Sequence, residues 1–305
     1  DIHVTLDVAN LQELTTAGHL GGMAAAGIDA VQINLDDSAH NYQADLNALL
    51  NTGVTTVDAS GHTVTLLEND LSNIRAGGVH VDTIDVGGSG VNASVSINET
   101  QAATLIHDGL HFAAADHITL DATHGTHLSN SLKELAKLGV DAVSVAAGGE
   151  VSVDLGGLDA GDLGTGAGAL HLPQFAAADG SDLTVTLDVA NLGELNTAAT
   201  LGGELKHIGV DNVQINLADG GATGYQDDLN SLFDGDGKLN AELLNDLSAI
   251  RQTDGFGIDQ GLHVNTIDVG GASVDASVSI NEGQAGALIN AGLHFAANDN
   301  ITLHV

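Results

Sequence analysis

The chain has 305 residues, 43% hydrophobic but only 2% aromatic, with 40 Gly, one Pro and neither Cys nor Trp. That apolar mass of Ala, Val, Leu and Ile is enough for a large buried core in thin, regular layers; the composition excludes a disordered linker and cysteine catalysis. The 41 acidic against 6 basic residues, a formal charge of −35, exclude nucleic acid as a partner and call for counter-cations, either divalent ions at defined sites or high salt.

In chain order, IHVTLDV (2–8) alternates like a strand, and Asn10 with Glu13 has capping-box spacing for a following helix. MAAAGIDAVQI (23–33) reads as a helix end, a Gly, an apolar residue, an Asp and an alternating strand, which VQINL (31–35) completes. Asp36 and Asp37 follow in a loop. GGVHVDTIDV (77–86) keeps the same ending, and Gly87–Gly88 turns the chain. GGSGVNASV (87–95) fits the nonapeptide of calcium-binding β-rolls, with Asn92 in the acid position. Asn98 and Gln101 cap a helix in NETQAATLIHDG, and Gly109 supplies the left-handed residue at its end. LHFAA and HITL are strands. THGTH carries His124 and His127, one edge of a transition-metal site whose third ligand is not near in sequence. LKELAKLGVDAVSV (132–145) is again helix, Gly139 and strand, closed by Gly148–Gly149.

The text then repeats. TLDVANL (5–11) returns at 186–192, VQINL at 213–217 and TIDVGG (83–88) at 266–271, with an offset that grows from 181 to 183. The capping pairs return as Asn191 with Glu194 and Asn281 with Gln284, and the helix-ending glycine as Gly292. This predicts a first large repeat over 1–181 and a truncated second over 182–305, each built of strand–helix–strand units of about 25–40 residues. Such units build mainly parallel sheet by right-handed crossovers and bury their apolar faces on each other. The expected fold is therefore α/β, an elongated solenoid-like stack; two compact α/β domains with a boundary near 175–182 are the alternative. Strand-like sequence at both ends, IHVTLDV and ITLHV, predicts a segment of a longer chain, or a processed subunit whose ends pair with neighbours.

Stacked turns bring equivalent carboxylates together, and such ladders repel unless a cation lies between them. The candidate metal ligands are Asp82 and Asp141, which begin strands; Asp85 and Asp268, inside the TIDV strands; Asp116, Asp121 and Asp299, which bracket the ITL strands; and Asp275, the acid of the second nonapeptide-like stretch GGASVDASV (270–278). Oxygen-rich Gly/Asp turns suit Ca2+, while Asp in these places is also simply a good turn and cap residue. FDGDGKLNAEL (233–243) fails as an EF-hand, since Leu232 and Leu243 fall where oxygen ligands belong, leaving Asp234 and Asp236 as a smaller candidate pair. The recurring His111, His294, His80 and His263 read as solvated, with pH-sensitive subunit contacts as the other reading.

FAAADHITLDATHGTHLSNSLKELAKLGVDAVSV (112–145) resembles the repeat regions of very large, acidic, Cys-free exoproteins of Gram-negative, often alphaproteobacterial, bacteria. The resemblance is clearest over 77–145 and 260–303. It implies an RTX-like, calcium-binding protein exported by type I secretion and located outside the cell or on its surface. The chain departs from that family in lacking intact nonapeptide arrays.

No G-x-S-x-G, P-loop, H-E-x-x-H or Rossmann fingerprint appears, so no enzyme is expected. No apolar run approaches the about 18 residues a membrane span needs, so no membrane insertion is expected. The leading expectation is a Ca2+-stabilised extracellular structural protein: part of a filament, sheath or surface layer, whose partners are other copies of itself, joined end to end or edge to edge. The alternative is the stalk or ligand-binding region of a Ca2+-dependent adhesin, with surface glycans as partners. A glycan-degrading enzyme and a salt-adapted protein without specific metal sites are the remaining readings.

Overall fold

The computed structural model describes residues 4–20, 22–35, 41–50, 54–57, 63–88, 91–123, 125–163, 169–217, 224–251, 262–271 and 276–305. The chain begins with β1 (Thr5–Val8), α1 (Leu11–His19), β2 (Ala30–Leu35), α2 (Tyr42–Leu50), β3 (Val54–Val57), β4 (Thr63–Thr65), α3 (Leu66–Ala76) and β5 (His80–Val86). It continues through β6 (Ser94–Asn98), α4 (Glu99–His107), β7 (His111–Phe112), β8 (His117–Ala122), α5 (Leu132–Leu138), β9 (Ala142–Val145), β10 (Gly149–Asp154) and β11 (Gln174–Ala177). Then come β12 (Leu183–Val189), α6 (Leu192–Thr200), α7 (Gly202–His207), β13 (Asn212–Leu217), α8 (Tyr225–Ser231) and α9 (Ala241–Ile250). The last elements are β14 (His263–Val269), β15 (Ser277–Asn281), α10 (Glu282–Asn290), β16 (His294–Phe295) and β17 (Asn300–His304).

The fold is α/β and its sheets are mainly parallel, as the alternation of strand and helix patterns predicts. The strands form several small sheets rather than one continuous one. By packing, the chain divides into two compact units. One comprises Asp1–Asp121 with Glu134–Val143; the other comprises Ala122–Lys133 with Ser144–Val305. The 1–181 and 182–305 partition concerns likeness of sequence and the units concern contacts, so β10, which lies in the first sequence copy, packs in the second unit.

In the first unit the main sheet runs β1-β2-β5-β7, and a second set runs β6-β8-β9. In the second unit the main sheet runs β10-β12-β13-β14-β16, and β15 pairs with β17. Buried parallel strands usually read as unbroken apolar runs, but these alternate. Val31, Ile33, Leu35, Val81, Ile84 and Val86 are buried on one face, with Leu14, Leu71 and Ile74 of α1 and α3 among the core. Each such burial contributes about 1.5–3 kcal/mol. The other face carries Gln32, Asn34, Thr83 and Asp85, and the second unit repeats it as Gln214, Asn216, Thr266 and Asp268.

Local chemistry sets the helix ends. Asn98 and Gln101 close a reciprocal capping box at 2.9 and 3.0 Å, and Asn281 and Gln284 repeat it at 2.9 Å. Gly109 and Gly292, just past α4 and α10, have φ of 66° and 68°, which an L side chain rarely adopts. The guanidinium of Arg75 donates to Val81 O at 2.8 Å and to Asp108 O at 2.6 Å, tying β5 to the C-terminus of α4. Arg251 does the same for Val264 O and Ala291 O, and burial lowers its pKa.

Two glutamines act on strand edges. Gln43 Nε2 donates to Ser96 O at 2.8 Å while Ser96 N donates to Gln43 Oε1 at 2.7 Å. Gln226 makes the same pair with Ser279, at 2.9 and 2.7 Å. Since Asn300 N donates to Ala276 O, Ser279 points its backbone groups away from β17. Gln226 therefore fills the outer edge of β15, and Gln43 that of β6.

Candidate cation sites

The acids singled out in the sequence take three different roles. The first is a strand clamp. Asp141 N donates to Ile118 O at 2.9 Å, and its Oδ2 accepts from Ile118 N at 2.7 Å. Asp29 does the same with Val4 and Asp211 with Val185. An Asp placed just after the helix-ending glycine thus reproduces a ladder bond and fixes the register of the neighbouring strand.

The second role is local or superficial. Asp82 is the extra residue of a β-bulge: Val31 faces Val81 and Gln32 faces Thr83, leaving Asp82 unopposed and exposed. Asp121 is exposed opposite Asn98. Asp234 Oδ1 accepts from the backbone N–H of Asp236 and of Lys238, both at 2.9 Å, so it holds its own turn, with Asp236 exposed beside it. Asp275, Asp36, Asp37 and His124 lie outside the described residues.

The third role is a buried carboxylate pair, present in both units. Asp116 reaches back from the turn before β8, and its Oδ2 accepts from Val86 N at 2.8 Å, next to Asp85. Asp299 Oδ2 accepts from Val269 N at 3.0 Å, next to Asp268. Gln32 Nε2 donates to Asp85 Oδ2 at 3.0 Å and Gln214 Nε2 to Asp268 Oδ2 at 3.1 Å. Asn34 and Asn216 face Asp85 and Asp268 across the strands. Asp85, Asp116 and Asp268 are only 7%, 6% and 3% exposed. Asp116 Oδ1, Asp268 Oδ1, Asn34 Oδ1 and Asn216 Oδ1 are buried without a hydrogen-bond partner. Burial, and then the charge of Asp85, push the Asp116 carboxyl up to about 6. Burial, and then the charges of Asp299 and Asp188, push Asp268 up to about 6. Each cluster thus offers carboxylate and amide oxygens, a set suited to a hard cation.

A different cluster lies in the second unit. The segment after β8 runs along β10: Gly125 N donates to Glu150 O at 2.7 Å, Leu128 N to Ser152 O at 2.8 Å, and Ser152 N to Thr126 O at 3.1 Å. This places His127 over the ends of β10 and β12, where Asp154 and Asp188 face each other in register. His127 Nε2 lies 3.2 Å from Asp154 Oδ2; its Nδ1 lies 3.1 Å from Asp188 Oδ2 and 2.9 Å from Ser152 Oγ. Hydrogen bonding to Asp154 and then to Asp188 raises the imidazole to about 10. Asp188 is 2% exposed, and its Oδ1 has no partner. One donor atom from each of the three residues lies within 4.8 Å of the others, so the group could hold a metal ion. Beside it opens a cavity of about 310 Å³, lined by His127, Glu150, Thr186, Asp188, Gln214 and Asp268 among others. It sits toward the C-terminal ends of parallel strands, the usual place for ligands in α/β sheets.

Sequence reasoning found His127 but not its partners, because Asp154 is 27 residues away and Asp188 farther. The available signal was that VSVD ends a strand on an acid and that TLDV carries one at its last position but one. Comparison with models of known protein families, with curated proteins and with solved structures returns no match.

Proposed function

We propose that this chain is an extracellular structural protein, a subunit or segment of a cell-surface filament, sheath or surface layer, and not an enzyme. Its repeat units continue as a solenoid-like stack, and the repeated oxygen clusters at Asp85/Asp116 and Asp268/Asp299 take Ca2+. The observation that carries this reading is the edge of β17. Its first-copy counterpart β8 has β9 on its far side, with Asp141 bonded to both backbone groups of Ile118. Ile301, the counterpart of Ile118, has no such neighbour among the described residues, while the opposite edge of that sheet is filled by Gln226. Such an edge is a template for a strand of the next repeat unit, whether of the same chain or of another copy.

The test is light scattering with electron microscopy, starting in EGTA and titrating Ca2+ at constant ionic strength. Regular assemblies are expected to grow with Ca2+. A monodisperse monomer at high concentration, with and without Ca2+, overturns the reading. The cavity beside His127 favours one alternative, a ligand-binding region of a Ca2+-dependent adhesin. A glycan-array signal lost on Gln214→Ala, with no assembly, would establish that alternative instead.

A further inference from the structure

We propose that His127, Asp154 and Asp188 form a transition-metal site, of the Zn2+ class, distinct in chemistry from the oxygen-only clusters. The donor set makes the distinction. Ca2+ and Mg2+ take oxygen ligands, whereas an imidazole with two carboxylates suits Zn2+, Co2+, Ni2+ or Fe2+. Two of the three ligands, His127 and Asp188, line the cavity, which leaves a further position for water or a small ligand, as in three-ligand metal centres.

Two further observations point to an ion. Asp188 is nine-tenths buried and more, lines the cavity, and keeps Oδ1 without a partner. An anionic oxygen so placed is expensive unless a cation or donor meets it. The cluster is also framed rather than accidental. Asp154 and Asp188 are held in register by the β10–β12 ladder, and His127 by backbone bonds on both sides of it. A satisfied ion triad is the competing account: the imidazolium bridges two carboxylates and merely pins residues 125–128 to β10. It leaves Asp188 Oδ1 unexplained.

The site belongs to the second unit. Asp7, the first-copy counterpart of Asp188, is exposed, and among the described residues no strand flanks β1 as β10 flanks β12. The inference does not rest on the assembly reading, because the metal would bind one chain whether or not chains associate.

The experiment is a Co2+ titration of the purified chain at pH 7.5, read by visible absorption and by calorimetry, with His127→Ala, Asp154→Asn and Asp116→Asn beside the wild type. One Co2+ per chain is expected, with absorption of a low-coordinate nitrogen–oxygen site, displaced by equimolar Zn2+ but not by millimolar Ca2+. His127→Ala and Asp154→Asn should each weaken Co2+ by more than about 100-fold, beyond what losing an outer partner of a ligand costs. Asp116→Asn should leave it unchanged. If His127→Ala does not fold, Asp154→Asn decides, since Asp154 is 55% exposed and its replacement leaves the ladder intact. Absence of a saturable 1:1 signal, equal binding by wild type and Asp154→Asn, or displacement of Co2+ by Ca2+ overturns the proposal.

Discussion

Replacing Asp116 or Asp268 by Asn should change stability with opposite signs in EGTA and in Ca2+. Each carboxyl is pushed from its ordinary 3.8 up to about 6, chiefly by burial. That gap of about two pH units means the ionised form costs the fold about 3 kcal/mol at pH 7. Asn is neutral and nearly isosteric, and in Asp116→Asn the amide oxygen keeps the bond from Val86 N. Its NH2 can also donate toward Asp85, where two like charges stood before. In EGTA, urea unfolding at pH 7 should therefore show each variant more stable than wild type, by up to about 3 kcal/mol. A cation changes the comparison. At 1,000 times its Kd, bound Ca2+ stabilises the wild type by about 4.1 kcal/mol, more than the variant gains by losing the charge, and the variant lacks the ligand. The pH arm follows from the same values. The folded carboxyls bind protons that the unfolded chain has released between about pH 4 and pH 6, so wild-type stability in EGTA falls as pH rises through that window. Saturating Ca2+ should abolish this slope. Equal destabilisation of both variants with and without Ca2+, or a slope of the opposite sign in EGTA, would refute a charge-strained, cation-binding pair at these positions.

Three more expectations can be checked with the same equipment. His127 is raised above its unfolded 6.5 to about 10, so its contribution is fully present below about pH 6.5 and is lost as pH rises through about 10. His127→Ala should cost about 2 kcal/mol at pH 7, reduced by the ring's partial exposure, and almost nothing at pH 10.5; urea titrations at both values test this. Arg251→Lys should lose about 1–3 kcal/mol in thermal unfolding, because one ammonium cannot replace the two guanidinium nitrogens that reach Ala291 O and Val264 O. Leu303→Pro should block assembly in light scattering while leaving the melting curve in place. Asn300 N–H faces β15, so by alternation the Leu303 N–H faces the open edge, and a proline there removes no existing ladder bond. Assembly that persists in this variant removes β17 as the joining edge.

What could be read from the sequence follows the range of the interactions. The caps at Asn98 and Asn281 close over three residues, so spacing alone identifies them. The α/β class follows from the change between alternating strands and Leu-spaced helices, and the repeat supplies each observation twice. HVDTIDV reads as one alternating strand, and the bulge at Asp82 does not show in it. A bulge exists only against a neighbouring strand, here β2, some fifty residues earlier. Asp85, Asp116 and Asp141 looked alike in sequence. They differ because Asp141 bonds across to Ile118 while Asp116 folds back onto Val86, 30 residues away. His127 shows the same limit: a histidine becomes a candidate ligand only once two strands from elsewhere place their acids beside it.

Gln43 and Gln226 carry one more consequence. A side-chain amide has the same donor and acceptor as a peptide group, so each glutamine is in effect a strand one residue long. It gives its sheet a valence of one, since the edge it occupies cannot recruit a second chain without breaking two bonds at Ser96 or Ser279. If sheets grow by strand addition, the two sheets that carry these glutamines would be extended only from the side away from them.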